Sequence, residues 1–321
     1  GLAVPTRVWD DYSKYLLGGA FLLLVVVLIP GIGYEVNGAR RWIRLGFMNF
    51  QVSEATRVML LMYVASYAVR RSDELRSDFK SFMVPVGVLA AAALLLLGEP
   101  DFGAATVLFA TGLGVLFLAG ARIVHLLVPV VAGSIGLAVL AVVSPYRLRR
   151  LTGFLDPWGD PFDSGFQLVQ SLIAIGRGEW LGVGLGASVQ KLFYLPEAHT
   201  DFVFAVLAEE FGFLGVTVVV ALFALLVTRA LMISREAAQA GQAYQSYVAA
   251  AIGIWLGLQA FVNIGVNMGL LPTKGLTLPL LSYGGSSMLV TLGWIGVLLR
   301  IHHDTQATGR VRVAPREARR R

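Results

Sequence analysis

The chain has no cysteine among its 321 residues, so neither disulfides nor thiolate metal sites enter its chemistry. Charge is also scarce. Asp, Glu, Lys and Arg make up 14% of the residues, where a soluble domain carries about 25%. No internal repeat is visible, and no pair of broken helices stands out in corresponding halves. The opening residues, GLAVPTRVWDDYSKY, lack a signal-peptide layout and an initiator Met, and read as the interior of a longer chain. What abounds is apolar: 56% of the residues are hydrophobic and the mean hydropathy is +0.72. That balance fits an all-α polytopic membrane protein and not an ordinary soluble domain.

A helix needs roughly 20 apolar residues to cross about 30 Å of hydrocarbon. Eight segments qualify: 15–33, 52–69, 82–98, 102–120, 123–143, 201–228, 244–270 and 280–301. An even number places both termini on one side. Sixteen Lys and Arg fall on that side, among them Arg70, Arg71, Arg76, Lys80 and the seven Arg of the tail from Arg300 to Arg321. By the positive-inside rule this side is cytoplasmic. Nine basic residues still lie on the outer face: Arg40, Arg41, Arg44, Arg147, Arg149, Arg150, Arg177, Lys191 and Lys274. They need a reason. We expect a single integral membrane domain over 1–321, a large extracytoplasmic loop at 144–200 and a basic cytoplasmic tail at 302–321.

Three outer segments share the opposite face: Tyr34–Gln51, the 57-residue Ser144–Thr200, and Leu271–Tyr283. A connection as long as the second is usually functional. Within it, 166–178 is too short to span and suits the interface. The glycines of GVGLGAS (Gly182, Gly184, Gly186) follow no strand, so a dinucleotide loop is rejected in favour of close backbone packing. Gly284, Gly285, Ser286 and Ser287 suit close helix contact. His125, His302 and His303 read as cytoplasmic surface residues.

Several polar groups lie at the outer boundary. Arg40, Arg41 and Trp42 fit interfacial anchoring or capture of a phosphate by a bidentate guanidinium equally well. Glu54 and Arg57, three apart, share a helix face and can hold each other neutral. Most telling is YLPEAHTDFVFAVLAEE, residues 194–210, where Glu197, His199, Thr200 and Asp201 meet an apolar helix that contains Glu209 and Glu210. Asp201 suits an N-cap. Yet acids at a membrane boundary mark function by default, and with Lys191 and Lys274 in neighbouring loops it suits a general base or a divalent-cation ligand.

Three long motifs now carry a resemblance. QKLFYLPEAHTDFVFAVLAEEFGFLG, LLPTKGLTLPLLSYGGSS and NGARRWIRLGFMNFQVSEATR resemble, in order, signatures of the SEDS family, and the likeness spans essentially the whole chain. PTKGLTLPLLSYGGSS and PEAHTDF resemble the division branch, FtsW, more than the elongation branch, RodA. The resemblance implies ten spans in the full protein, of which this chain holds eight, with cytoplasmic termini in the bacterial inner membrane. It implies polymerisation of lipid II into glycan strands at the outer face, at the division septum. The implied partners are lipid II, a class B penicillin-binding protein (an FtsI-type transpeptidase), other divisome proteins and membrane lipids, and no nucleic acid. The family's essential aspartate matches Asp201, its outer-loop Trp matches Trp42, and the acid of its QPSE motif matches Glu54. Val52 stands where the family usually has Pro, and Arg57 where it commonly has Lys.

These readings combine into one expected mechanism. Asp201 takes the proton from the acceptor's 4-hydroxyl, with His199 or Glu197 in support. Arg40, Arg57, Lys191 and Lys274 face the departing diphosphate, with Ser282 also counted among the substrate contacts. A divalent cation, Mg or Mn, could share in neutralising that charge, as the family suggests. The rival reading is a lipid II transporter built on Asn263, Asn267, Glu209 and Glu210. A third is a non-enzymatic scaffold for division proteins.

Overall fold

A computed structural model describes residues 2–36, 38–46, 48–143, 153–163, 165–273 and 275–317. Lys274 and the stretch 144–152, with Arg147, Arg149 and Arg150, lie outside the described residues. The helices, in chain order, are α1 (Thr6–Asp11), α2 (Ser13–Leu28), α3 (Val52–Arg70), α4 (Ser72–Ser77), α5 (Phe79–Gly98), α6 (Phe102–Leu118), α7 (Ile123–Val143), α8 (Phe166–Gly178), α9 (Val203–Gln239), α10 (Ala243–Asn267) and α11 (Gly285–Glu317). Each of the eight expected spans coincides with a helix.

Among the described residues, α5, α9, α10 and the Gly285–Ala307 part of α11 are long and apolar enough to cross a membrane. The apolar helices Ser13–Leu28, Phe102–Leu118 and Ile123–Gly136 are shorter. Helix α3 is more polar, because Glu54, Arg57 and Arg70 sit within it. Local chemistry sets several boundaries. Helix α2 stops at Leu28, earlier than 33, because Ile29 precedes Pro30 and is held extended (φ −70°, ψ 123°). The Asp78 carboxylate accepts from Ser81 N–H and starts α5. The Asp101 carboxylate does the same for Ala104 and starts α6.

The chain packs as two compact units. The first holds Gly1–Leu126, Leu226–Trp255 and Gly285–Arg321, and the second Leu127–Leu225 and Leu256–Gly284. In the first, α2 packs on α3 and α5 on α6. Gly112 makes the second contact close, since a Cβ there would lie 2.3 Å from Leu89 Cδ1. His125 is not a plain surface residue: its ring lies 5.2 Å from Phe79 and 5.7 Å from Phe82.

The first outer segment is not helical. It forms a three-stranded sheet in the order β1 (Gly33–Val36), β2 (Ala39–Arg44), β3 (Asn49–Gln51). Both pairings are antiparallel, and Trp42 stands opposite Tyr34 on one side and Gln51 on the other. The Asn37-Gly38 pair in the sequence is a strong hairpin signal, and Gly38 has φ +77°.

In the second unit, α8 buries Leu168, Ser171, Ala174 and Gly178, one face at helical spacing. Ala174 joins Leu195, Ala198, Phe202 and Ala205 in a core cluster. Helix α9 is broken. Gly212 has φ 62° and ψ −163° inside it, so the ladder is interrupted there. The strap 179–184 completes it. Val183 N–H donates to Glu209 O (2.9 Å) and Gly184 N–H to Glu210 O (3.1 Å), while Phe213 N–H donates to Glu179 O (2.9 Å) and Leu214 N–H to Trp180 O (3.2 Å). The approach requires glycine: a Cβ at Gly182 would lie 2.1 Å from Glu210 O.

Candidate active site

In the second unit the local fold converges on Asp201. Helix α9 begins at Val203, so Phe202 holds the cap position and Asp201 precedes it. The first turn is capped from another helix: Asn267 Oδ1 accepts from Ala205 N–H at 3.2 Å. The other end of that amide donates to Asp201 O at 3.0 Å, and Asn263 Nδ2 donates to the same carbonyl at 2.9 Å. Asp201 is thus gripped by its backbone while its side chain is half-buried. The carboxylate lies over Gly275, where a Cβ would come within 3.0 Å of Oδ2.

The preceding turn is built from residues 197–200. Glu197 adopts φ +56°, an uncommon conformation for a residue with a side chain. Its carbonyl accepts from Thr200 N–H and Phe202 N–H, both at 3.1 Å. Its carboxylate accepts from Thr200 Oγ1 at 2.6 Å. The third outer segment closes over the turn. Ser282 Oγ donates to Thr200 O at 2.6 Å and accepts from Leu278 N–H at 2.7 Å. Tyr283 N–H donates to His199 O at 2.8 Å, and the two rings meet edge-on at 5.9 Å. Asn263 Nδ2 also donates to Leu276 O at 2.5 Å, and Gln259 Nε2 to Thr277 O at 3.0 Å.

Asp201, His199, Glu197 and Ser282 are therefore assembled in one neighbourhood. Ser282 is 5% exposed and its hydroxyl is engaged twice by backbone, so it shapes the site in preference to contacting a substrate. Lys191 turns to Glu210, with Nζ 2.5 Å from Oε1.

In the first unit, Arg40 pairs with Glu35 at 2.9 Å on an exposed edge. Trp42, two residues along β2, is half-buried. Arg41 has the opposite strand face and different partners. Its Nε donates to Glu99 O at 2.9 Å and Nη2 to Pro100 O at 2.5 Å, with Nη1 4.0 Å from Asp101 Oδ1. It ties the sheet to the turn between α5 and α6. Glu54 and Arg57 do pair, Nη2 to Oε1 at 3.4 Å, and are 4% and 3% exposed. The Arg57 guanidinium also lies 5.4 Å from the centre of the Trp255 ring.

The α5–α6 turn contains an acid the sequence did not single out. Glu99 is fully buried, and among the described residues neither carboxylate oxygen has a hydrogen-bond partner. Burial pushes its pKa up to about 8, Asp101 adds to the rise, and Arg41 counters it. Among the described residues no three His, Asp or Glu side chains gather as a metal site.

The residues that grip Asp201 were visible in the sequence only as polar groups inside apolar helices. Asn263 and Asn267 are four apart, hence on one face of α10. That spacing is a signal that could have tied them to a common partner.

Comparison with known proteins gives one consistent answer. The cell cycle protein family of FtsW, RodA and SpoVE matches residues 2–307. A probable peptidoglycan glycosyltransferase FtsW from Thioalkalivibrio sulfidiphilus is 57% identical over 305 residues, covering 95% of this chain and 76% of the relative. Its namesake from Coxiella burnetii is 54% identical over 305 residues, covering 94% and 82%. Among solved structures, a chain from work described as structural coordination of polymerization and crosslinking by a peptidoglycan synthase complex aligns with TM-score 0.79 and 32% identity. That alignment covers 95% of this chain and 84% of the other. The rod shape determining protein RodA of Thermus thermophilus aligns with TM-score 0.68 and 30% identity over 94% of this chain and 81% of the other.

Proposed function

This chain belongs to the cell cycle protein family of FtsW, RodA and SpoVE, and from that premise we propose that it is a peptidoglycan glycosyltransferase that polymerises lipid II with Asp201 as its general base. The observation that carries the assignment is the grip on Asp201. Two side-chain amides hold its carbonyl, Asn267 caps the first turn of α9 just after it, and Ser282 and Tyr283 hold the turn before it. A carboxylate on so fixed a backbone is the arrangement that proton abstraction at a defined atom demands.

In the proposed step the Asp201 carboxylate accepts the proton of the acceptor sugar's 4-hydroxyl. The freed oxygen forms a bond to the donor's anomeric carbon as the bond from that carbon to the lipid diphosphate breaks. The electron pair leaves with the diphosphate. Attack opposite the leaving group inverts the centre, turning an α-linked donor into a β-linked strand. On residue identity, Arg40, Arg57, Lys191 and Lys274 are assigned to the diphosphate, and Trp42 and Glu54 to the substrate. A divalent ion would help to neutralise the departing diphosphate, though among the described residues no three His, Asp or Glu side chains gather to hold one.

We place the reaction on the outer face of the inner membrane at the septum, with a class B penicillin-binding protein of FtsI type crosslinking the product. The transport reading loses support. Glu209, Glu210, Asn263 and Asn267, the polar groups it would use, each hold backbone or side chains within the fold.

Labelled lipid II supplied to the purified protein with its transpeptidase should yield glycan strands, and Asp201→Ala should yield none while still binding the partner. Strands made by Asp201→Ala at the wild-type rate would remove Asp201 from the mechanism.

A further inference from the structure

Glu209 is fully buried in α9 and meets four donors. Ser188 Oγ donates to Oε2 at 2.5 Å, and Gln190 N–H to the same oxygen at 3.3 Å. Val189 N–H donates to Oε1 at 3.2 Å, and Arg177 Nη1, from the last turn of α8, to the same oxygen at 3.2 Å. Each oxygen thus accepts twice. A carboxylate can accept on both oxygens, which a side-chain amide cannot.

The residues so held lead straight to the active-site turn. Residues 188–190 open the π-helical turn Gln190–Tyr194, and Leu195 N–H closes it on Gln190 O at 2.9 Å. Leu195 then packs with Ala198 and Phe202, on either side of Asp201 in the sequence. One residue along α9, Glu210 binds Lys191. The loop from 188 to 201 is fixed at its far end by Asn263 and Asn267 and at its near end by Glu209. The break at Gly212 lies three residues beyond, where the strap 179–184 brings the chain against α9.

We propose that Glu209 is the positioning residue of the catalytic loop, acting on Asp201 through residues 188–195 by collecting four donors on one carboxylate. The proposal rests on the reading of Asp201 as the base. It assigns Glu209 no contact with substrate and no proton transfer. The isosteric amide cannot replace it, because Glu209→Gln puts an NH2 group against two of the four donors. Shape is kept and the acceptor set is lost.

The test uses the full chain with its transpeptidase and labelled lipid II. Glu209→Gln and Glu209→Ala should each lower kcat at least about tenfold, the order of loss for a misplaced catalytic group, with KM within about twofold. The acid limb of the pH–rate profile should stay in place, since the base is unchanged. Backbone hydrogen exchange should quicken over 188–202 and stay as in the wild type over α10. Ser188→Ala removes one donor with little change in packing, and should lower kcat about threefold if one of several shared bonds is lost. It keeps the proposal testable should the Glu209 variants fail to fold. A wild-type kcat in Glu209→Gln or in Ser188→Ala overturns the proposal, as does a loss confined to KM or a shifted acid limb. These outcomes are distinct from strand synthesis by Asp201→Ala, which would instead remove the base on which the proposal rests.

Discussion

Asn267 serves Asp201 and the helix behind it with one amide, donating Nδ2 to Asp201 O at 3.0 Å and accepting Ala205 N–H on Oδ1 at 3.2 Å. Asn267 is itself fully buried. The two ends of its amide are not interchangeable, so its orientation fixes both the turn that carries the acid and the start of α9.

Asn267→Asp keeps the acceptor for Ala205 and turns the donor end into a second acceptor facing the Asp201 carbonyl. That variant should lower polymerisation of labelled lipid II roughly tenfold to hundredfold, as expected when a reacting group shifts by about an ångström. Asn263→Ala should cost less, because Asn267 still holds the carbonyl. A wild-type rate in Asn267→Asp would separate this amide from catalysis.

Gly212 should tolerate no side chain. Its φ of +62° disfavours one, and a Cβ there would lie 2.4 Å from Gly182 N and 2.6 Å from Gly178 O. Gly212→Ala should destabilise the detergent-solubilised protein by about 1–3 kcal/mol or more, the usual cost of a strained backbone position. The loss would appear as a lower thermal midpoint. Gly176→Ala, which meets nothing within 4 Å, is the matched control and should melt like the wild type.

Glu99 sets a pH dependence. Its folded pKa is raised to about 8, while an unfolded Glu titrates near 4.3. The folded state therefore binds the proton more tightly, and stability falls as pH rises between those values. Above about 8 the penalty is complete. Glu99→Gln removes the titration, so its thermal midpoint should exceed that of the wild type at pH 8.5 and converge with it at pH 4. Parallel midpoint curves for the two proteins would show that Glu99 ionises freely in the fold.

Hydropathy sufficed to locate the helices because a bilayer imposes length and composition on each segment separately. The Glu54–Arg57 pair was legible for a similar reason, since three residues on a helix fix which face both occupy. Asp201 stood out as an acid at the mouth of an apolar helix. What escaped was set by partners distant in sequence. The break at Gly212 is stable only because residues 179–184 supply the missing peptide partners, and no local pattern announces that match. Glu209 and Glu210 read as costly acids in a membrane helix; their donors lie in a loop some twenty residues earlier, at Ser188 to Lys191, and at Arg177 of α8. The sheet was readable in principle from Asn37-Gly38, but Arg40, Arg41 and Trp42 drew attention to the interface instead. Arg40 and Arg41, adjacent in the sequence, point to opposite faces of one strand and so take different partners.

The strap also bears on how the protein can be remodelled. Peptide groups of α9 at 209–214 and of the loop at 179–184 satisfy one another. Cutting the loop short, or swapping it for that of a relative, would leave those amides and carbonyls without their partners. Chimaeras should therefore carry both stretches together, and inheritance should treat the pair as a single cassette.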